Sequence, residues 1–293
     1  MLKVKRFIFI SLILFIISSC QKTEDPFVAY TDDINVFQNV SRPLDLDLHS
    51  NEYLLADLSE HRILYENLSD LPIYPASLTK IMTMDTVLHQ ISDLSERSSV
   101  TYRQINDLIY EDASIAYLRG DYEYTIEDLL YALVLPSGAD AALALENRFA
   151  EKGMDLIEEM NQLAESLGCR STHFVNPTGL HDPNHYTSLN DLFLIITDVL
   201  QYETGRKILQ TLAYTLEDGL KVESTLRPLC EQETAILGGK TGYTPEAGQS
   251  ILVLFRKENR SYLLLLGNAM GSYTRKEYWH FDDTVHIFEA LFE

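Results

Sequence analysis

Basic residues are scarce in this chain: 23 Lys and Arg stand against 44 Asp and Glu, for a formal charge of −21 over 293 residues. Such a surface repels a phosphate backbone, which argues against a nucleic acid as partner, and gives no help in approaching anionic lipids. Cysteine is scarcer still. Cys20 lies near the N-terminus, and Cys169 and Cys230 stand 61 positions apart with no His or Cys beside either. That spacing builds no metal framework and leaves the pair two readings, a disulfide or two buried free thiols. Internal repeats, low-complexity tracts and any break in composition that marks a second domain are missing, and the length suffices for one sizeable core. Long apolar runs are missing too, apart from one at the start.

That run carries information. Lys3, Lys5 and Arg6 precede Phe7 to Ile17, and Ser18-Ser19-Cys20 follows. A basic stretch before an apolar segment of this length reads as an export signal, too short to cross a bilayer comfortably as a mature helix. Its tail resembles a bacterial lipoprotein signal, in which Cys20 is lipidated and becomes the first residue. A plain secretory signal and an uncleaved anchor are the alternatives. All three place the body of the protein outside the cytoplasm. The expected organisation is therefore a signal over 1–19, a tether over 20–48 and one folded domain over 49–293.

Within that domain, Tyr53 to Leu58 and Ile63 to Glu66 read as a hairpin turning at Ser59 to Arg62. Pro75 sets the start of a helix near Ser77 that runs to Gln90. Residues 99–119 show no strong period. Thr125 begins an apolar helix through Val134, Pro136-Ser137-Gly138 interrupts it, and Ala139 to Phe149 resumes it. Met154 to Leu167 is amphipathic and stops at Gly168. An irregular loop spans 176–185, and Ser188 caps a further helix to about Leu200. The period then changes: Ala235 to Tyr243, Ser250 to Phe255 and Tyr262 to Leu266 read as strands, before a closing helix over Tyr278 to Phe292. Strands at both ends and helices between them predict an α+β fold, its antiparallel sheet built from both chain ends and its middle all helical.

The chemistry gathers at three places. Ser77-Leu78-Thr79-Lys80 sets a hydroxyl and an amine three residues apart on one helix face, the spacing a nucleophile and its base need. Alone the pattern says little, since Ser19 to Lys22 matches it too. Ser137-Gly138-Ala139 and Lys240-Thr241-Gly242 follow in order. With Asn176-Pro177-Thr178-Gly179-Leu180-His181 and Gly238-Gly239 ahead of Lys240, the chain resembles the serine D-alanyl-D-alanine carboxypeptidases, the low-molecular-mass penicillin-binding proteins, over about residues 50–290. The resemblance implies the β-lactamase/transpeptidase-like fold. It also implies removal of the terminal D-alanine from peptidoglycan stem peptides through an acyl-enzyme on Ser77, inhibition by β-lactams, and no metal or organic cofactor.

It further implies roles. Ser77 is the nucleophile, Lys80 its base and Ser137 a proton relay. Lys240 and Thr241 hold the substrate carboxylate, Gly242 lets the peptide lie along the strand, and the amides of Ser77 and Tyr243 form an oxyanion hole. Membrane contact is assigned to a lipid on Cys20. One position departs from the family pattern: the third residue of the second motif, usually Asn, is Ala139, and Asp140 beside it cannot be assumed to replace it. Ser188-Leu189-Asn190 matches that motif literally but sits at a helix start, where capping explains it. His181 and His185 flank Asp182 without a third ligand, so neither is assigned to a metal or a triad. A β-lactamase is the enzyme rival, although 174–186 lacks the glutamate its class A members use. A non-catalytic module that binds D-Ala-D-Ala ends or β-lactams is the rival from another class.

Overall fold

The computed structural model describes residues 37–292. The signal, Cys20 and most of the tether lie outside the described residues. Ten strands and nine α-helices follow in order. β1 (Gln38–Arg42), β2 (Glu52–Asp57) and β3 (Arg62–Asn67) precede a 3-10 turn, Ala76–Leu78, that feeds α1 (Thr79–Gln90). The middle holds β4 (Arg97–Ser98), α2 (Tyr102–Tyr110), β5 (Tyr124–Thr125), α3 (Ile126–Val134), α4 (Ala139–Glu151), α5 (Leu156–Ser166), α6 (Leu189–Val199) and α7 (Glu203–Leu209). β6 (Ala213–Thr215), β7 (Lys221–Glu223) and α8 (Arg227–Gln232) lead into β8 (Ile236–Thr244), β9 (Gly248–Lys257), β10 (Arg260–Ala269) and α9 (Trp279–Phe292).

The main sheet has the order β1-β3-β2-β10-β9-β8, so strands from the two chain ends meet where β2 pairs with β10. Every pair is antiparallel except β1 with β3. That parallel edge strand falls in the span read as tether, and the sequence there, Gln-Asn-Val-Ser-Arg, is too polar to announce a strand. Along the central strands successive side chains enter opposite cores. Leu54 and Ala56, Leu252 and Leu254, and Leu263 and Leu265 face the helical middle. Tyr53 and Leu55, Ile251 and Val253, and Leu264 and Leu266 face α8 and α9. Burial on both faces is why β9 and β10 read as nearly continuous apolar runs.

The expected helices form with small changes at their ends. Asp155 and Ser188 cap α5 and α6 through their side chains, Ser188 Oγ accepting from Asp191 N at 3.1 Å. The α-helix after Pro75 starts at Thr79, two residues later than expected, because Ala76–Leu78 takes the tighter turn. The span without a period contains α2, held by a capping box between Thr101 and Gln104. Leu108 is its only fully buried residue, with Ile105 packed beside it on the core, while Tyr102 and Ile109 extend the same apolar stripe into solvent. Cys169 and Cys230 are free thiols, and burial pushes them up to about 12 and about 11. Among the described residues no helix is long and apolar enough to cross a membrane.

Candidate active site

The turn that opens α1 packs on the edge strand β8, and the loop 176–179 reaches Lys80. The break between α3 and α4 is joined to β8 through Thr225, whose amide donates to Leu135 O at 3.1 Å and whose hydroxyl accepts from Thr241. Lys80 lies one turn beyond Ser77 and is 2% exposed. Its Nζ stands 3.1 Å from Ser77 Oγ and 2.5 Å from the carbonyl oxygen of Thr178. Burial pushes the Lys80 ammonium down to about 7, partly opposed by the Asp140 carboxylate. Near neutral pH much of Lys80 is therefore the free amine, and its contact to Ser77 then takes the hydroxyl proton as donor.

Lys240 is fully buried, and both its burial and the charge of Lys80 hold it well below the usual lysine range. Its Nζ donates to the Thr241 carbonyl at 2.7 Å, and Thr241 Oγ1 donates to Thr225 Oγ1 at 2.7 Å. Two lysines near each other in a dry site disfavour each other's charge, so an arriving anion would find groups that gain by taking up a proton. Tyr243 follows on the strand, part exposed, with its ring edge-on to Tyr273 at 4.9 Å.

Ser137 is 4% exposed, and its hydroxyl oxygen has no hydrogen-bond partner. Its φ of +66° and that of Ala76, +47°, place non-glycine residues in the left-handed region on both sides of the site. Each such conformation costs roughly 1–3 kcal/mol, held by the packing around it. Gly138 next to Ser137 has no room for a side chain, since a Cβ would meet Ala132 O at 2.6 Å. Ala139 is buried and donates its amide to Ser114 O at 2.8 Å.

Several residues to which the sequence assigned no role complete the geometry. Asp140 Oδ1 accepts from Ala116 N at 2.8 Å and Ala141 N at 3.0 Å, while Oδ2 accepts from Leu118 N at 3.0 Å. It braces the segment before α3. Asn176 Oδ1 accepts from Thr178 N, Thr178 Oγ1 and Gly179 N, which aims the Thr178 carbonyl at Lys80. Gly179 takes φ +78°, and a Cβ there would fall 1.9 Å from Ala76 O. Gly242 is filled from the other side than expected. A Cβ on it would meet Pro75 O at 3.0 Å, so its smallness lets β8 approach the Ser77 turn.

His185 belongs to this support. Its Nδ1 accepts from Val175 N at 3.1 Å, which leaves Nε2–H to donate to Thr79 Oγ1 at 2.7 Å. Burial lowers it to about 4, so it is neutral, and both ring nitrogens are engaged. His181 instead packs edge-on to Tyr74, at 4.7 Å.

A sheet closed by both chain ends, with a serine-lysine pair at the start of the helix beneath its edge strand, is the architecture of the β-lactamase/transpeptidase fold. The crystal structure of the Streptomyces K15 DD-transpeptidase matches it with a TM-score of 0.75 at 24% identity, over 84% of this chain and 98% of that one. Within that fold the chain belongs to the peptidase S11, D-alanyl-D-alanine carboxypeptidase family, whose model matches residues 37–267. A D-alanyl-D-alanine carboxypeptidase of a Streptomyces species is 32% identical over 200 residues, 63% of this chain and 68% of the relative. One from Bacillus subtilis is 27% identical over 243 residues, 82% of this chain. The chain spans only 62% of that relative's length.

Proposed function

We propose that the protein is an extracytoplasmic serine D-Ala-D-Ala carboxypeptidase that removes the terminal D-alanine of peptidoglycan stem peptides and is acylated by β-lactams. The observation that carries the reading is the buried Lys80 amine, near neutrality in its titration, 3.1 Å from Ser77 Oγ. Ser77 Oγ attacks the carbonyl carbon between the last two D-alanines, and its proton passes to Lys80 Nζ. The amides of Ser77 and Tyr243 hold the oxyanion. The C–N bond then breaks, and Ser137, whose hydroxyl has no other partner, relays a proton to the departing amine. Water cleaves the ester and restores Ser77.

Lys240 and Thr241 bind the substrate carboxylate, and that anion draws Lys240 back to its charged form. Among the described residues β8 has a sheet neighbour on one side only, which suits a peptide laid beside it as a further strand. Attachment to the membrane is assigned to a lipid on Cys20, which lies outside the described residues. A Cys20→Ser chain in which both processing and membrane association are unchanged sinks that assignment.

The test of the activity is intact mass after brief exposure to penicillin, beside Ser77→Ala, followed by D-alanine release from a peptide ending in D-Ala-D-Ala. The expected result is one adduct per chain and D-alanine release, both absent in the variant. Rapid penicillin turnover without an adduct supports a β-lactamase instead. Binding of the peptide unchanged by Ser77→Ala, with no adduct and no release from either chain, supports the non-catalytic module that Ala139 leaves open.

A further inference from the structure

Away from the site, α1 and α6 bring together three groups that the acylation chemistry does not use. Asp85 and His89 stand four residues apart on α1, which places them on one face, and Asp198 reaches them from the end of α6. His89 Nε2 lies 2.5 Å from Asp198 Oδ2 and 3.9 Å from Asp85 Oδ1. One donor atom from each of the three residues lies within 4.8 Å of the others. Asp85 is 0% exposed, and as a carboxylate neither of its oxygens accepts a hydrogen bond among the described residues, whereas the protonated acid shares one with Asp198. A buried carboxylate aimed into a cluster and left without a partner is expensive unless something else neutralises it. The His89 side chain remains one-third exposed, which opens the cluster to solvent on that side.

We propose that Asp85, His89 and Asp198 bind one divalent transition-metal cation of the zinc type, fastening the C-terminal half of α1 to α6. One imidazole nitrogen and two carboxylates form a donor set suited to Zn²⁺, with water completing the shell on the exposed side. A tetrahedral ion with bonds of about 2.0–2.1 Å holds its donors roughly 3.3 Å apart. The observed separations bracket that value, so side-chain rotations suffice and no helix has to move. The ion takes the place of the hydrogen bond between His89 and Asp198: His89 binds through Nε2 with its ring proton on Nδ1, and any further proton held by the cluster is released to solvent. At 1.5 Å per residue, Asp85 lies about 8 Å along α1 from Lys80, which makes the ion a clamp on the helix and gives it no part in acyl transfer.

The rival occupant is a proton. Burial and the neighbouring Asp198 hold the Asp85 carboxyl well above the usual carboxylate range, and a protonated Asp85 beside Asp198 also removes the unpaired charge. The two occupants separate cleanly by experiment. The full chain in mild detergent is stripped with EDTA and titrated with ZnCl2 and, separately, CoCl2, following bound metal by equilibrium dialysis and thermal unfolding.

The proposal expects one bound equivalent, a Tm raised by several degrees, and visible d–d absorption from Co²⁺. Asp85→Asn and His89→Gln both lose the equivalent, the Tm rise and the Co²⁺ spectrum, yet keep the penicillin adduct on Ser77. His89→Gln leaves the buried acids in place and so serves if Asp85→Asn folds poorly. Binding that survives both substitutions, or a wild-type Tm indifferent to Zn²⁺ with Asp85→Asn more stable at neutral pH, overturns the proposal and assigns the cluster to the proton.

Discussion

Burial suppresses the charge of Lys80, and the base role proposed for it then requires a pH profile with a definite sign. Its folded value, about 7, lies below the 10.5 of a free lysine. Below about 7 it takes up a proton and loses its function, so acylation of Ser77 by a fluorescent penicillin is expected to fall about tenfold per pH unit on that side. A profile flat across that range rejects Lys80 as the base. Removing the Asp140 carboxylate removes an interaction that favours the charged lysine, so Asp140→Asn is expected to move the inflection to lower pH. The same shift couples to folding. Between the two values the unfolded chain binds more protons than the folded one, so this lysine's contribution to stability rises with pH across that window. Ser77, Lys80, Ser137, Lys240 and Thr241 were legible as candidates because the proposed chemistry rests on their side chains. Thr178 was not, because its contribution is a main-chain carbonyl that any residue could present. Nor was Asp140, whose partners Ala116 and Leu118 lie 24 and 22 positions upstream.

Elements bring these residues together through close backbone approach, and two glycines show it at different strengths. Gly179 takes a positive φ and leaves 1.9 Å between a built Cβ and Ala76 O, so any side chain must push the Ser77 turn away. Gly242 leaves 3.0 Å to Pro75 O, a gap that a few tenths of an ångström of adjustment can absorb. Gly179→Ala is therefore expected to lower Tm by several degrees and to reduce the penicillin acylation rate at least a hundredfold, or roughly 3 kcal/mol in barrier. Gly242→Ala is expected to leave Tm nearly unchanged while slowing acylation about tenfold. Equal losses in the two variants mean that neither contact sets the position of Ser77. At this scale the capped helices were readable where a cap marked them, as at Ser188, and β9 and β10 as short apolar runs. The β6–β7 hairpin was missed because three-residue strands carry too little pattern, and α2 was passed over although Ile105, Leu108 and Ile109 fall at helical spacing.

For the whole molecule, the decisive feature is that the chain's two ends close one sheet, so the N-terminal limit of the folded unit is an energetic question. The sequence placed that limit at residue 49, because 38–42 is polar. In the structure β1 covers the outer edge of β3, with Gln38 N donating to His61 O at 2.8 Å. Just before it, Phe37 packs edge-on against Phe193 at 4.8 Å and His61 at 5.3 Å, while Leu44, Leu46 and Leu48 lie on the second core. Removing 37–48 strips these apolar groups from their sites and uncovers the backbone donors and acceptors of β3, a template for pairing with another chain. A buried Phe or Leu is worth roughly 1.5–3 kcal/mol, and these four are only partly buried, so the combined loss is about 3–6 kcal/mol. That is a large share of the stability of an ordinary domain. A chain beginning at residue 49 is therefore expected to melt well below one beginning at residue 21 and to aggregate at lower concentration, as read by calorimetry and light scattering. Equal melting temperatures place β1 outside the cooperative unit and return residues 37–48 to the tether.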